Sequence, residues 1–317
     1  MKPEPSRFAR RCCGGALAFV LATHVAFAGP LLDRLRGREA SQGQVEEEDA
    51  ADAKAKLPPD VRVLRDIAYG DDARQRFDVY LPSHPSNAPV IVMVHGGAWA
   101  FGDKAMSRVV EAKVARWVPR GIVLVSVNYR MVPDAAPLEQ ARDVARAVAA
   151  VQARAAEWGG DRHKLVLMGH SAGAHLVSLL TAQPSLFPVA TVPALGSVSL
   201  DSGAMDVTEI MQARHFGFYD RAFGSNPADW AAASPTRVLD TKPWPLLAVC
   251  STRRSDSCPQ ADRFAARAVS LGGRASVLRQ DLSHGEINAQ LGQPGAYTDA
   301  VEAFLLALDP ALAAALR

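Results

Sequence analysis

Three runs restrict the fold more than anything else in the chain: VIVMV at 90–94, IVLVSV at 122–127 and KLVLM at 164–168. A strand with one wet face alternates apolar and polar residues. These runs are almost continuously apolar and β-branched, as expected when helices cover both faces of a parallel sheet. The same reading places strands at 63–69, 77–81, 90–94, 122–127, 165–168, 195–200, 246–250 and 275–279. Segments with helical spacing lie between them, at about 106–119, 138–156, 172–182, 260–271 and 297–308. This alternation predicts an α/β domain. At 317 residues, 49% of them hydrophobic, the chain can bury such a core.

The third run leads directly into Gly169-His170-Ser171-Ala172-Gly173 and then a helical pattern. This is G-x-S-x-G with a strand before it and a helix after it. Its glycines sit where side chains would collide in a tight strand-to-helix turn that lifts the serine Oγ above the sheet. The helix N-terminus behind the turn offers free N–H groups and the positive end of a dipole, both suited to a developing oxyanion. Ser171 is therefore the candidate nucleophile, and the Ala172 amide a candidate oxyanion donor.

A second glycine motif follows VIVMV: His95-Gly96-Gly97-Ala98-Trp99, then Gly102-Asp103-Lys104. Adjacent glycines let backbone amides approach a carbonyl oxygen closely, which nominates Gly97 and Ala98 as further oxyanion donors. His95 reads as structural, holding its loop through the ring nitrogens. Together, HGGAW…GDK, SVNYR at 126–130 and GHSAGAHL resemble bacterial α/β-hydrolase esterases of the feruloyl esterase-like and kynurenine formamidase-like kind. The resemblance extends from about residue 60 to 310. It implies an α/β-hydrolase fold, a mostly parallel eight-stranded sheet with helices on both faces, and a serine mechanism. It does not specify a substrate, because the fold hosts many reactions.

The resemblance also implies the order Ser, Asp, His along the chain. His284, in Leu282-Ser283-His284-Gly285-Glu286 just after the last strand, is the expected base. His215 is its rival. For the acid, the loop after 246–250 offers Asp256, with Asp281 as the competing choice and Asp262 expected inside a helix. His175, one turn along the helix after Ser171, reads as buried and hydrogen-bonded. His170 reads as packing near the loop of His95.

Residues 202–245 interrupt the alternation and hold Phe216, Phe218, Tyr219, Phe223 and Trp230. They read either as a satellite core or as a small lid, with Trp99, Phe216, Phe218 and Tyr219 as candidate pocket residues.

The chain opens with Lys2, Arg7, Arg10 and Arg11, then an apolar run to Ala28 ending in Ala-Phe-Ala. The run is short of the roughly 20 residues of a spanning helix, so residues 1–28 are expected to be a cleaved export signal. Removing them takes away four positive charges and one negative, and the net charge falls from +2 to −1. Residues 29–57, with Glu46-Glu47-Glu48-Asp49, read as a flexible acidic tether, and 58–317 as the hydrolase domain. The protein is expected in the periplasm or outside the cell. In such a compartment Cys250 and Cys258 form a disulfide. Two thiols without a nearby histidine pair make a poor metal site, and the spacing is not C-x-x-C.

No phosphate loop, dinucleotide fingerprint or zinc motif is present, so no cofactor and no metal are implied. The balanced charge gives no footprint for nucleic acid. The expected function is hydrolysis of small-molecule carboxylic esters through Ser171, Asp256 and His284 and an acyl-enzyme. The alternatives are a formamidase-type amide hydrolase and a catalytically silent binding module on the same fold.

Overall fold

A computed structural model describes residues 55–316. The expected signal segment and the tether as far as residue 54 lie outside the described residues. Residues 55–57, also expected to belong to a loose tether, are packed. Ala55 and Leu57 lie against the hydrophobic core, and the Lys56 amide donates to Glu111 Oε2 at 2.8 Å.

Eight strands form one sheet: β1 Arg62–Ala68, β2 Arg76–Leu81, β3 Ala88–Val94, β4 Val123–Val127, β5 Gly160–His170, β6 Gly196–Leu200, β7 Leu246–Ser251 and β8 Ala275–Gln280. Their order is β1-β2-β4-β3-β5-β6-β7-β8. β2 pairs antiparallel with both neighbours, and every pair from β4 through β8 is parallel. The continuous apolar runs have the reason expected of them. Val90, Val92 and Val94 face one helical layer, while Ile91 and Met93 face the other.

The first layer contains α2 (Pro137–Arg154) and α3 (Ala172–Ala182). The second contains α1 (Ser107–Trp117), α10 (Ala296–Leu306) and α11 (Pro310–Leu316). Residues 202–245 hold four short helices: α4 Val207–Gln212, α5 Gly217–Phe223, α6 Pro227–Ala232 and α7 Pro235–Val238. They pack through Tyr219 and Phe223 onto the first layer's core. The remaining helices are α8 (Ser257–Ser270) and α9 (His284–Gln290). Among the described residues no helix is long and apolar enough to cross a membrane.

The two motifs that seemed to carry only family resemblance have mechanical roles. Asn128 Nδ2 donates to Asp103 Oδ2 at 2.7 Å, and Asn128 Oδ1 accepts from the Lys104 amide at 2.6 Å. Tyr129 stacks on His95 with ring centroids 4.5 Å apart, and its hydroxyl donates to the His95 carbonyl at 3.0 Å. SVNYR therefore clasps the loop that follows β3. Arg130 in turn forms a fork on Asp143 of α2, with both bonds at 2.8 Å. Asp143 is fully buried and also accepts from Gln75 and Arg146. Removing Asp143 leaves the buried Gln75 amide without its acceptor, while Arg130 and Arg146 can still reach water. The Asp143→Ala protein is expected to lose about 1–3 kcal/mol of stability, read from denaturant unfolding. A loss below 1 kcal/mol would mean that this clasp is incidental.

Candidate active site

The side chains that meet at one place come from successive strand ends on the C-terminal edge of the parallel sheet, where ligands of open α/β sheets bind. Ser171 follows β5, Asp201 follows β6, Arg254 lies in the loop after β7, and His284 comes after β8.

Ser171 sits at φ 54°, ψ −117°, a conformation that a residue with a Cβ enters only when its surroundings impose it. The surroundings are specific. The Ser171 amide donates to the Leu200 carbonyl at 3.1 Å, and its carbonyl accepts from Gly203 at 2.9 Å and His175 at 3.0 Å. A Cβ on Gly173 would lie 2.3 Å from the Val94 carbonyl oxygen, so only glycine lets α3 seat against the end of β3. A Cβ on Gly96 would lie 2.9 Å from Ser171 Cβ. The His-Gly-Gly loop and the serine turn are thus in contact through Gly96. Beyond it, Ala98 (φ 47°) and Trp99 (φ 60°) are left-handed without being glycines, so this loop also stores strain.

His284 is the first residue of α9. Ser283 caps that helix by accepting from the Glu286 amide, while Glu286 Oε2 accepts from the Ser283 amide. The pattern Ser283-x-x-Glu286 is a capping box. It is a local signal for a helix here that hydrophobic periodicity does not carry. The box aims the imidazole: Nε2 accepts from Ser171 Oγ at 2.8 Å, and Nδ1 donates to Asp201 Oδ2 at 2.5 Å. His170 Nε2 donates to the His284 carbonyl at 2.9 Å, and the two rings lie 4.5 Å apart. Burial, then the neighbouring His284, hold His170 well below the usual histidine range, so it packs there as a neutral ring.

The carboxylate on His284 is Asp201, not Asp256. Asp256 begins α8 half-exposed, and its Oδ2 accepts from Arg254 Nη2 at 3.1 Å. The other sequence rivals are engaged elsewhere: Asp281 with Arg253, and Asp262 with Arg279. Asp201 is fully buried at φ 47°, with its backbone fixed by a 2.8 Å bond from its amide to the Val249 carbonyl. Burial by itself would raise its pKa. The Arg254 guanidinium and the bonds from His284 and Ser257 outweigh that, so the carboxyl stays well below the usual carboxylate range and remains ionised. The expected order of roles points to the loop after the seventh strand, whereas Asp201 follows the sixth. The available signal was an aspartate at the tip of the apolar run 195–200.

His215 contacts the Ala213 carbonyl and Asp220 within the excursion and has no bond to Ser171. The four expected pocket residues divide. Trp99 and Tyr219 are buried, whereas Phe216 and Phe218 are half-buried and packed on the same core. Trp99 Nε1 donates to His175 Nδ1 at 3.1 Å, and His175 Nε2 donates to the Ala233 carbonyl at 2.7 Å. Burial pushes His175 down to about 4, consistent with a neutral ring relaying these two bonds. The glycine loop, the nucleophile helix and the excursion are therefore tied together. Cys250 and Cys258 are bonded, joining the end of β7 to α8 with Cα atoms 5.1 Å apart.

A serine hydroxyl bonded to an imidazole that is itself bonded to a buried carboxylate can act as a nucleophile with its general base. Known proteins have similar chains. The BD-FAE family model matches residues 77–186. Esterase LipQ of Mycobacterium tuberculosis is 31% identical over 236 residues, covering 68% of this chain and 55% of LipQ. A probable isoprenylcysteine alpha-carbonyl methylesterase of Oryza sativa is 36% identical over 118 residues, 37% of this chain and 28% of the plant protein. The chain spans about a quarter of the length of the methylesterases it matches, at 28%, 24% and 27%. Among solved structures, esterase B from Lactobacillus rhamnosis superposes with a TM-score of 0.68 at 18% identity, covering 91% of this chain and 97% of that one. The sheet order and this superposition show an α/β-hydrolase fold, and the chain is similar to esterases over part of their length.

Proposed function

We propose that the protein hydrolyses carboxylic esters of small to medium acyl groups, with Ser171 as nucleophile, His284 as general base and Asp201 as the acid. The observation that carries this reading is the unbroken path Asp201 Oδ2, His284 Nδ1, His284 Nε2, Ser171 Oγ, with links of 2.5 and 2.8 Å. His284 takes the serine proton as Oγ attacks the ester carbon, then delivers it to the leaving alcohol. Water repeats the sequence on the acyl-enzyme. Asp201 holds the Nδ1–H tautomer and stabilises the imidazolium. The amides of Gly97, Ala98 and Ala172 bind the oxyanion. Losing one such donor typically costs about 2.7–4 kcal/mol of barrier.

The same proposal places the mature protein in the periplasm or outside the cell. Its support is the leader-like segment 1–28 and the disulfide, which suits an oxidising compartment.

A panel of nitrophenyl esters of increasing acyl length, run beside an N-formyl amide and a fluorophosphonate label, tests the activity. Ester turnover with label on Ser171 is expected, with the shorter acyl chains preferred. Turnover of the formyl amide alone would replace the ester reading with an amide one. Failure of the label to attach would favour a silent binding module.

A further inference from the structure

Four of the groups around Asp201 come from one short stretch of chain. The Ser251 amide donates to Oδ1 at 2.9 Å, the Ser257 hydroxyl donates to the same oxygen, and Arg254 Nη1 donates to Oδ2 at 2.9 Å. The fourth group is Asp256, which holds the other arm of the Arg254 fork. All four lie between Cys250 and Cys258, inside the loop that the disulfide closes. His284 is the remaining donor to the carboxylate, and it shares Oδ2 with Arg254. The loop thus satisfies every oxygen direction that the base leaves open.

We propose that Arg254 is a positioning residue for the acid of the Ser171–His284–Asp201 set, held on the Asp201 carboxylate by the disulfide-closed loop 250–258. The inference rests on the reading of Asp201 as that acid. Asp256 then has a role different from the one its sequence position suggests. It braces the guanidinium rather than the imidazole.

The physical consequence concerns charge. Arg254 Nη1 lies 3.3 Å from His284 Nδ1. Both atoms carry hydrogen toward the same carboxylate oxygen, so the arginine opposes a second positive charge on the ring. The other charged or titratable groups around the ring are few. His170 at the end of β5 is kept neutral by burial, with Lys113 of α1 behind it. Tyr219 of α5 and Tyr297 of α10 are buried phenols, raised by burial above their ordinary range and neutral. On the histidine's own segment, Asp281 and Glu286 are paired with Arg253. Arg254 is therefore the cation closest to the base. An adjacent cation opposes a second positive charge beside it, so replacing Arg254 removes that opposition. The loss of a partner for Asp201 acts in the same direction.

The test is the pH profile of kcat/KM for Arg254→Met, Arg254→Lys and the parent, with Tm measured alongside. In Arg254→Met the acid limb is expected to move up by about one pH unit. Its plateau kcat should fall about tenfold, as for loss of a charge-assisted hydrogen bond, with KM near the parent's. Arg254→Lys keeps the charge but not the fork, so the limb should return toward the parent while kcat stays reduced. A lower Tm with an unmoved limb would overturn the proposal, because an arginine with a merely structural role changes stability without acting on the base.

Should Arg254→Met not fold, Cys250→Ala/Cys258→Ala supplies the second readout. Freeing the loop should lower kcat and shift the limb in the same direction, and an unchanged kcat and limb would overturn the proposal. An active Asp201→Asn protein would instead defeat the underlying assignment of the acid.

Discussion

The Ser171→Ala protein is expected to lose about six orders of magnitude in kcat, the size of loss seen when one member of a cooperating nucleophile and base is removed. Stability should hardly change. Ser171 occupies a strained left-handed conformation and its side chain bonds only to His284, so the methyl group of alanine removes one hydrogen bond and no packing. His284→Ala should be comparably inactive, since an undeprotonated serine hydroxyl is a poor nucleophile. His215→Ala should remain active, because that ring bonds only within the excursion. Initial rates on a short-chain nitrophenyl ester, with circular dichroism to verify folding, decide the matter. Retention of a few per cent of activity by Ser171→Ala, with contaminating esterase excluded, would remove the serine from its role.

The parts of this architecture that were legible in the sequence share a property. Their signal is local. VIVMV and LVLM reveal burial on both faces because successive residues point into opposite helical layers, one through Val90, Val92 and Val94 and the other through Ile91 and Met93. The strand, glycine turn and helix around Ser171 are contiguous. The pairing of Cys250 with Cys258 needed only the cysteine count and an argument about compartment.

The carboxylate bonded to His284 was not legible in this way, because it depends on which strand lies beside which. Asp201 and His284 are 83 residues apart and meet only because β6 lies between β5 and β7. Sequence spacing favours Asp256, which follows β7, the strand before the one that leads to His284. The structure instead uses Asp256 to hold an arginine. Chain order constrains the sequence of roles but not the strand that supplies each one. The excursion was ambiguous for a related reason. Its aromatic residues are legible as a cluster, but Trp99, onto which they pack, comes from a distant loop.

Asp201 and Asp256 can be separated by substitution, and the two readings of the sequence predict opposite results. Asp201→Asn is expected to lower kcat by about 10⁴, because an amide at this position can present its NH₂ to Nδ1 and stabilise the wrong imidazole tautomer. Asp256→Asn should leave kcat within a few-fold of the parent, since that side chain is half-exposed and touches the site only through Arg254. The depressed pKa of Asp201 adds a pH dependence with a definite sign. A carboxyl whose folded value lies below its unfolded one contributes stability at pH above the ordinary carboxylate range, and loses that contribution as the pH falls through that range toward the folded value. The parent should therefore be more stable than Asp201→Asn at neutral pH, and the gap should narrow on acidification. Paired unfolding curves at pH 7 and near pH 3 measure it. An inactive Asp256→Asn beside an active Asp201→Asn would return the acid to the loop after β7 and leave the buried carboxylate as an anchor for Arg254.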